Sequence, residues 1–300
     1  MRFDPNHLSA LAAVLRLGSF EAAAQNLAVT PSAISQRIKA LEDRVGTALV
    51  KRALPCTGTE AGLRLAKHAE DVALLEGLVS SELALERGAQ ESPPHLRIAI
   101  NADSLAAWFI EAMAATPDLL FDLVIDDQDH SADWLRRGEV SAAVTGHAKP
   151  ITGCNARPLG AMRYQATASP DYIAKWFPQG LTSEALAKAP CLIFNAKDAL
   201  QQRWITEHFE SDIAPPAHFI PSTQGFADAA IAGLGWGMNP VELITPALTS
   251  GELIPLLPDS ALDIALTWQV SRVMEPALAP LSRAVLSSAK RHLIQPQEPA

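Results

Sequence analysis

Residues 19–52 read SFEAAAQNLAVTPSAISQRIKALEDRVGTALVKR, and the spacing inside this stretch predicts two helices joined by a tight break. Ser19 is placed to cap a helix from Phe20 to Leu27. Thr30-Pro31 then offers a cap followed by proline at the first helical position, where a missing N–H costs nothing. On the helix that follows, Pro31 to about Arg44, Ile34, Ile38 and Leu41 recur at i, i+4 and i+7. They are set to pack on Phe20, Ala23, Ala24 and Leu27, which leaves Ser32, Ser35, Gln36 and Lys39 on the opposite face. Hydroxyls, an amide and a cation suit the donor and acceptor pattern of a DNA major groove. Gln36 fits an adenine edge, and Ser32 and Ser35 fit bases or phosphates. Lys39, Lys51 and Arg52 fit phosphates, which position a protein without reading sequence. Thr30 and Arg37 complete the candidate DNA-binding set. Periodicity alone also permits a solvated face of a helical bundle.

Working outward, residues 6–17 place Leu8, Leu11, Ala12 and Leu15 on one helical face, and Gly18 ends that helix. Residues 48–59, with Pro and Gly, fit the short hairpin called a wing. From Glu60 to about Arg87 a helical pattern carries Leu65, Ala69, Val72, Leu75, Val79 and Leu83 at steps of three or four. Such a stripe packs on its own domain or on a second copy; a helix this long between two domains favours dimerisation. Residues 88–94 (GAQESPP) form a linker, after which the period changes. Leu96–Ile100, Phe121–Asp126 and Ser141–Thr145 read as strands, alternating with helices at Leu105–Ala115 and Ala132–Arg137. The alternation resumes with strands at Cys191–Asn195, His218–Ile220, Gly235–Met238 and Ala265–Val270. Helices are expected at Asp198–Phe209, Gln224–Ala232 and Pro276–His292. This pattern predicts an α/β domain with a largely parallel sheet.

Composition agrees. The chain has 300 residues, 48% hydrophobic and 19% charged, enough for more than one domain with a large core. Net charge is −9, yet residues 1–67 hold nine Lys/Arg against five Asp/Glu, and residues 68–300 hold fifteen against twenty-eight. A basic module on an acidic body can bind phosphate locally, because screening confines its field to about 10 Å. No membrane span or export signal is expected, which places the chain in the cytoplasm. Cys56, Cys154 and Cys191 are too scattered for a disulfide framework or a CxxC site, and the eight His lack metal spacing. Residues 233–237 (GLGWG) lack the following helix and distant acid of a dinucleotide fingerprint, so close strand packing is the expected cause. With no GxSxG elbow either, the chain is not expected to be an enzyme or to hold a metal or cofactor.

The head resembles the LysR-type transcriptional regulators. The likeness lies in Phe20, Ala23-Ala24, Leu27, Thr30-Pro31-Ser32-Ala33, Ile34-Ser35, Ile38, Leu41-Glu42, Gly46, Leu49, Arg52, Thr59 and Gly62. Val50 and Pro55 depart from the common pattern. Together with Thr59-Glu60, Asn101–Ala106, Trp108, Leu135–Val140, Leu159-Gly160 and Gly251–Ile254, that departure looks like the regulators of arginine and lysine export. The resemblance implies a multidomain α/β protein with a winged helix-turn-helix at 1–60, a dimerising linker helix at 61–88 and a hinge at 89–94. The rest, 95–300, would be a two-lobed effector domain like periplasmic binding proteins, with lobe I at about 95–165 and 267–300 and lobe II at about 166–266. It also implies a homodimer or homotetramer on promoter DNA that contacts RNA polymerase and responds to lysine or arginine. Another small effector is the alternative.

In such a domain the ligand sits where strand ends face each other. Ser104 and nearby amides, opening a helix, suit an α-carboxylate. Asp103 reads either as part of the site or as a cap of that helix. Asp126, Asp127 and Asp129 suit an ammonium group or form a solvated loop. Thr145, Asn195 and Ser222 also end strands and are candidates by position.

Overall fold

The caps and apolar spacing of residues 5–45 produce three short helices around one apolar centre. In the computed structural model, which describes residues 2–85, 93–127, 131–146, 149–209 and 213–296, these are α1 (Pro5–Leu17), α2 (Phe20–Asn26) and α3 (Pro31–Val45). The Ser19 hydroxyl accepts from the amides of Glu21 and Ala22, and the Thr30 hydroxyl accepts from Ala33, so both expected caps form. Ile34, Ile38 and Leu41 are fully buried among Leu11, Val14, Ala23 and Ala24. The wing is a two-rung antiparallel ladder, β1 (Val50–Lys51) with β2 (Thr57–Gly58). The Glu42 carboxylate of α3 ties the wing down by accepting from the Leu49 amide at 2.8 Å.

α4 (Glu60–Glu82) leaves the head from a Thr59 cap and packs on both α1 and the first strand of the next domain. Its stripe is covered unevenly. Leu65 and Ala69 pack against the head, whereas Val79 and Leu83 are exposed. Where the helix meets the second domain, Lys67 is only 6% exposed and donates to the Ser141 hydroxyl at 2.8 Å while pairing with Asp71.

Glu70 lies at the same junction, beside Arg16, Arg97 and Asp122, and burial pushes its pKa up to about 7 against the lowering pull of Lys67. That value exceeds its ordinary 4.5, so Glu70 favours folding most below pH 4.5 and loses that contribution as pH rises through 7. Glu70→Gln is therefore expected to raise stability at pH 8 by on the order of 2 kcal/mol. The advantage should shrink as pH falls toward 5, in thermal melts across that range; a constant gap would show that Glu70 stays ionised.

The second domain follows the expected alternation and then departs from it. β3 (His95–Ile100) lies between β4 (Leu120–Ile125) and a later strand, parallel to both. From β3 the chain passes through α5 (Ala102–Ser104), a π-helical turn (Leu105–Phe109) and α6 (Ile110–Ala114). α7 (Ser131–Arg136) then leads to β5 (Ala142–Thr145), the later strand beside β3. Next comes β6 (Cys154–Ala168), fifteen residues long and not anticipated from the sequence. The following elements are α8 (Pro170–Trp176), α9 (Ser183–Leu186), β7 (Cys191–Ile193), α10 (Leu200–Phe209) and β8 (Ala217–Phe219). The chain finishes with α11 (Thr223–Ile231), β9 (Gly237–Pro240), α12 (Val241–Ser250), β10 (Ile254–Pro255), β11 (Leu262–Ser271) and α13 (Ala279–His292).

The main sheet runs β10-β6-β11-β5-β3-β4, with β9 also on β6. It is mixed, which corrects the expectation of a largely parallel sheet: β11 pairs antiparallel with β5 and β6, and β6 pairs antiparallel with β9 and β10. β6 and β11 cross from one half of the domain to the other, and their register slips at Leu266/Thr267, where the halves meet. Parallel β7 and β8 form a small sheet in the second half. Trp108, Trp204, Trp236 and Trp268 are fully enclosed in the core. Two of the glycines of residues 233–237 serve packing: a Cβ on Gly235 would lie 2.9 Å from the Pro190 carbonyl oxygen and one on Gly237 2.5 Å from the Phe226 ring, whereas Gly233 takes a left-handed φ of 76°. Among the described residues no helix is long and apolar enough to cross a membrane. The expected hinge at 89–94 falls, through Ser92, outside the described residues.

Candidate functional site

Two surfaces carry the chemistry. On the head, α3 and its cap Thr30 present Thr30, Ser32, Gln36 and Lys39 to solvent, while Ser35 and Arg37 are half-buried. Lys51 and Arg52 are exposed on the wing side, and the Arg52 guanidinium lies over the Phe20 ring at 5.1 Å. That cation–π contact limits where the Arg52 charge can point. All eight candidate DNA-binding residues thus lie on or beside one helix and its wing.

The second surface is a cleft of about 460 Å³ between the halves of the α/β domain, in the size range of small-molecule sites. One wall comes from the C-terminal ends of parallel β3 and β4, which deliver Asn101–Asp103 and Ile125–Asp127. The other comes from the loop after β7, the start of α11 and strand β9, which deliver Phe194–Asp198, Thr223, Phe226 and Met238–Pro240. Strand ends meet across the opening, as the parallel arrangement of β3 and β4 demands.

Of the residues expected at an effector site, Asp103, Asp126, Asp127 and Asn195 line this cleft. Ser104, Thr145 and Ser222 do not. Ser104 is fully buried one position behind Asp103, and its Oγ has no hydrogen-bond partner among the described residues. Thr145 is fully buried in β5 beside β11, where Gln269 Nε2 donates to its hydroxyl at 3.0 Å. Ser222 caps α11 by accepting from Gly225, and its neighbour Thr223 faces the cleft instead. Asp129 lies outside the described residues.

Asp103 is no helix cap. Its two carboxylate oxygens accept from Tyr164 Oη at 2.8 Å and from Thr223 Oγ1 at 3.0 Å. Burial raises its pKa above the ordinary carboxylate value, with Asp198 and Asp127 adding to the rise and the two hydrogen bonds opposing it. Asp126 is the contrasting case. Burial pushes it up, but hydrogen bonds from Lys197 and Trp134 outweigh that and hold its pKa below the ordinary value. Trp134 Nε1 donates to Oδ2 at 2.9 Å, and Lys197 Nζ donates to Oδ1 at 2.7 Å. Asp198 is spent on its own loop, accepting from the amides of Phe194 and Leu200.

Among the described residues the lining therefore carries four carboxylates, Asp103, Asp126, Asp127 and Asp198, against one cation, Lys197. Such a wall favours a positively charged guest. Sequence reasoning missed Lys197 because a lone charge in a loop has no spacing signal. It missed Tyr164 because the strand that carries it was missed. Among the described residues no group of three His, Cys, Asp or Glu is placed to hold a metal.

Comparisons with known proteins bear on both surfaces. Residues 5–63 match the family model "Bacterial regulatory helix-turn-helix protein, lysR family", and residues 89–290 match "LysR substrate binding domain". The HTH-type transcriptional regulator LysG of Mycobacterium tuberculosis is 44% identical over 290 residues, covering 96% of this chain and 94% of the relative. The crystal structure of ArgP from Mycobacterium tuberculosis superposes with a TM-score of 0.78 at 43% identity, covering 99% of this chain and 100% of that one. Full-length LysG from Corynebacterium glutamicum with bound effector Arg gives a TM-score of 0.65 at 35% identity, covering 98% of this chain and 100% of that one.

Proposed function

Because the chain belongs to the LysR family of bacterial helix-turn-helix regulators, we propose that it senses a basic amino acid, lysine or arginine, in the cleft between its lobes and controls an exporter promoter. The observation that carries the effector class is the lining itself, four carboxylates against one lysine among the described residues. A ligand with a net positive side chain gains there what a neutral or acidic one cannot. The related regulator with arginine bound supports the same class. Asp126 and Asp127 receive the side-chain cation, and Asp103 and Asn195 orient the rest of the molecule. The exporter target follows from the resemblance of residues 52–60, 101–108 and 135–140 to the export regulators.

On the DNA side, Thr30, Ser32, Ser35 and Gln36 approach base edges or phosphates, while Arg37, Lys39, Lys51 and Arg52 neutralise backbone charge. Self-association through the exposed end of α4, with Val79 and Leu83, pairs two heads on a duplex. Closure of the lobes on ligand changes the spacing of those heads, and with it DNA bending and contact with RNA polymerase.

A mobility-shift assay with the full-length protein and its own promoter tests this reading. If several phosphates are neutralised, the logarithm of affinity falls steeply with that of salt, by about 0.9 per phosphate contact. The double variant Lys39→Ala/Lys51→Ala removes two contacts from each of the two heads and should reduce that slope by about 3.6. No shift at low salt from folded protein would overturn the assignment of the head.

A further inference from the structure

The cleft already holds one positive group, supplied by the chain itself. Resting on the basic-amino-acid reading above, we propose that Lys197 is a tethered competitor for the effector: its ammonium occupies the Asp126 oxygen that the ligand's side-chain cation takes.

Three observations carry this. First, the pair spans the opening. Asp126 follows β4 on one wall, and Lys197 lies in the loop after β7 on the other. Second, the two oxygens of Asp126 are used differently. Oδ2 accepts from Trp134 Nε1 and Oδ1 from the Asp127 amide at 2.9 Å, both on the same wall, which fixes the carboxylate, whereas the opposite wall reaches only Oδ1. A guest cation at Oδ1 would inherit a carboxylate already oriented for it. Third, Lys197 can leave without moving its loop. The Lys197 amide donates to Asn195 Oδ1 at 2.8 Å, and Asp198 Oδ2 accepts from the Phe194 amide at 2.9 Å. The backbone is pinned while the side chain is free to swing. The Lys197 side chain is 47% exposed against 16% for Asp126, so the lysine has water to retreat into and the carboxylate does not.

The exchange conserves charge, one cation entering and one leaving for solvent. A neutral amino acid that displaces Lys197 leaves Asp126 its hydrogen bonds from Trp134 and the Asp127 amide but no counter-charge at the cleft wall, which is costly. The competitor thus lowers affinity for every ligand that needs Asp126 and reserves the site for ligands that carry a cation. It also sets the working concentration of the sensor above the intrinsic affinity of the empty cleft.

Calorimetric titration of full-length wild type, Lys197→Gln and Lys197→Arg with L-arginine, L-lysine and L-norleucine tests the proposal. Arginine and lysine are expected to bind Lys197→Gln about three- to fivefold tighter than wild type, the size of one partly exposed ion pair. Lys197→Arg keeps the competitor and should stay within about twofold of wild type. Norleucine, lysine without its ammonium, should gain nothing from Lys197→Gln. Unchanged binding to Lys197→Gln overturns the proposal. Weakened binding also overturns it, by placing Lys197 on the ligand, and so does an equal gain for norleucine, which would mean mere unblocking of the cleft. Failure of arginine and lysine to bind wild type and both variants overturns instead the basic-amino-acid reading on which it rests.

Discussion

Gly62→Ala is expected to abolish promoter binding and unfold the head, although alanine is the better helix former. At an ordinary helical position the exchange stabilises by roughly 0.5–1 kcal/mol. Gly62, however, lies in the first turn of α4 where the helix crosses the chain entering the wing, and an added Cβ would meet the Leu49 carbonyl oxygen at 1.9 Å. No rotamer relieves a clash between Cβ and backbone. Either the helix or the wing must shift, and overpacking of this kind costs about 1–3 kcal/mol or more. Leu49 is fully buried and its amide is held by Glu42, so the shift propagates into α3. Gly77 on the same helix is the control, because among the described residues its added Cβ would meet only Pro94, at 3.8 Å. Gly77→Ala should leave the thermal midpoint unchanged or raised, and DNA binding intact. Equal behaviour of the two variants in melting and mobility-shift experiments would contradict the close approach at Leu49.

Asp126→Asn is expected to reduce arginine and lysine affinity by at least about thirtyfold. Truncating one partner of a partly buried, hydrogen-bonded charge pair costs roughly 2–5 kcal/mol in binding. Asparagine preserves shape and can still accept from Trp134, so the loss reports charge and not collapse. Stability should change little, because Lys197 is nearly half exposed and can be solvated once its partner is gone. Shifts of the promoter without added amino acid should be unaffected. Affinity for arginine within about threefold of wild type would move the cation site away from Asp126.

The head was legible because local signals and tertiary demands coincide there. Ser19 and Thr30-Pro31 cap, Ile34, Ile38 and Leu41 pack, and the polar remainder of α3 is left facing solvent. One wall of the cleft was legible for a similar reason: β3 and β4 are short, mostly apolar strands, interrupted by Arg97 and Asp122, that end in Asn101–Asp103 and Asp126-Asp127. The other wall was not. β6 contains Pro158 and Gly160 and changes from half-covered to fully buried along its length, so no alternation marks it as a strand. Missing it hid the antiparallel closure of the sheet and with it Tyr164, which positions Asp103. Ser104 misled for the opposite reason. It sits at the strand end, where a ligand contact belongs, yet the helical turn rotates it inward and gives the cleft to Asp103.

The central claim, that a regulator's cleft is built to receive a basic amino acid, is tested most directly by calorimetric titration of the full-length protein with L-arginine, L-lysine, L-glutamate and L-norleucine. Saturable one-site binding of arginine or lysine is predicted, weakened by salt, with glutamate and norleucine at least about a hundredfold weaker, as a difference of some 2.8 kcal/mol requires. Binding of glutamate or norleucine as tight as that of arginine and lysine would contradict it.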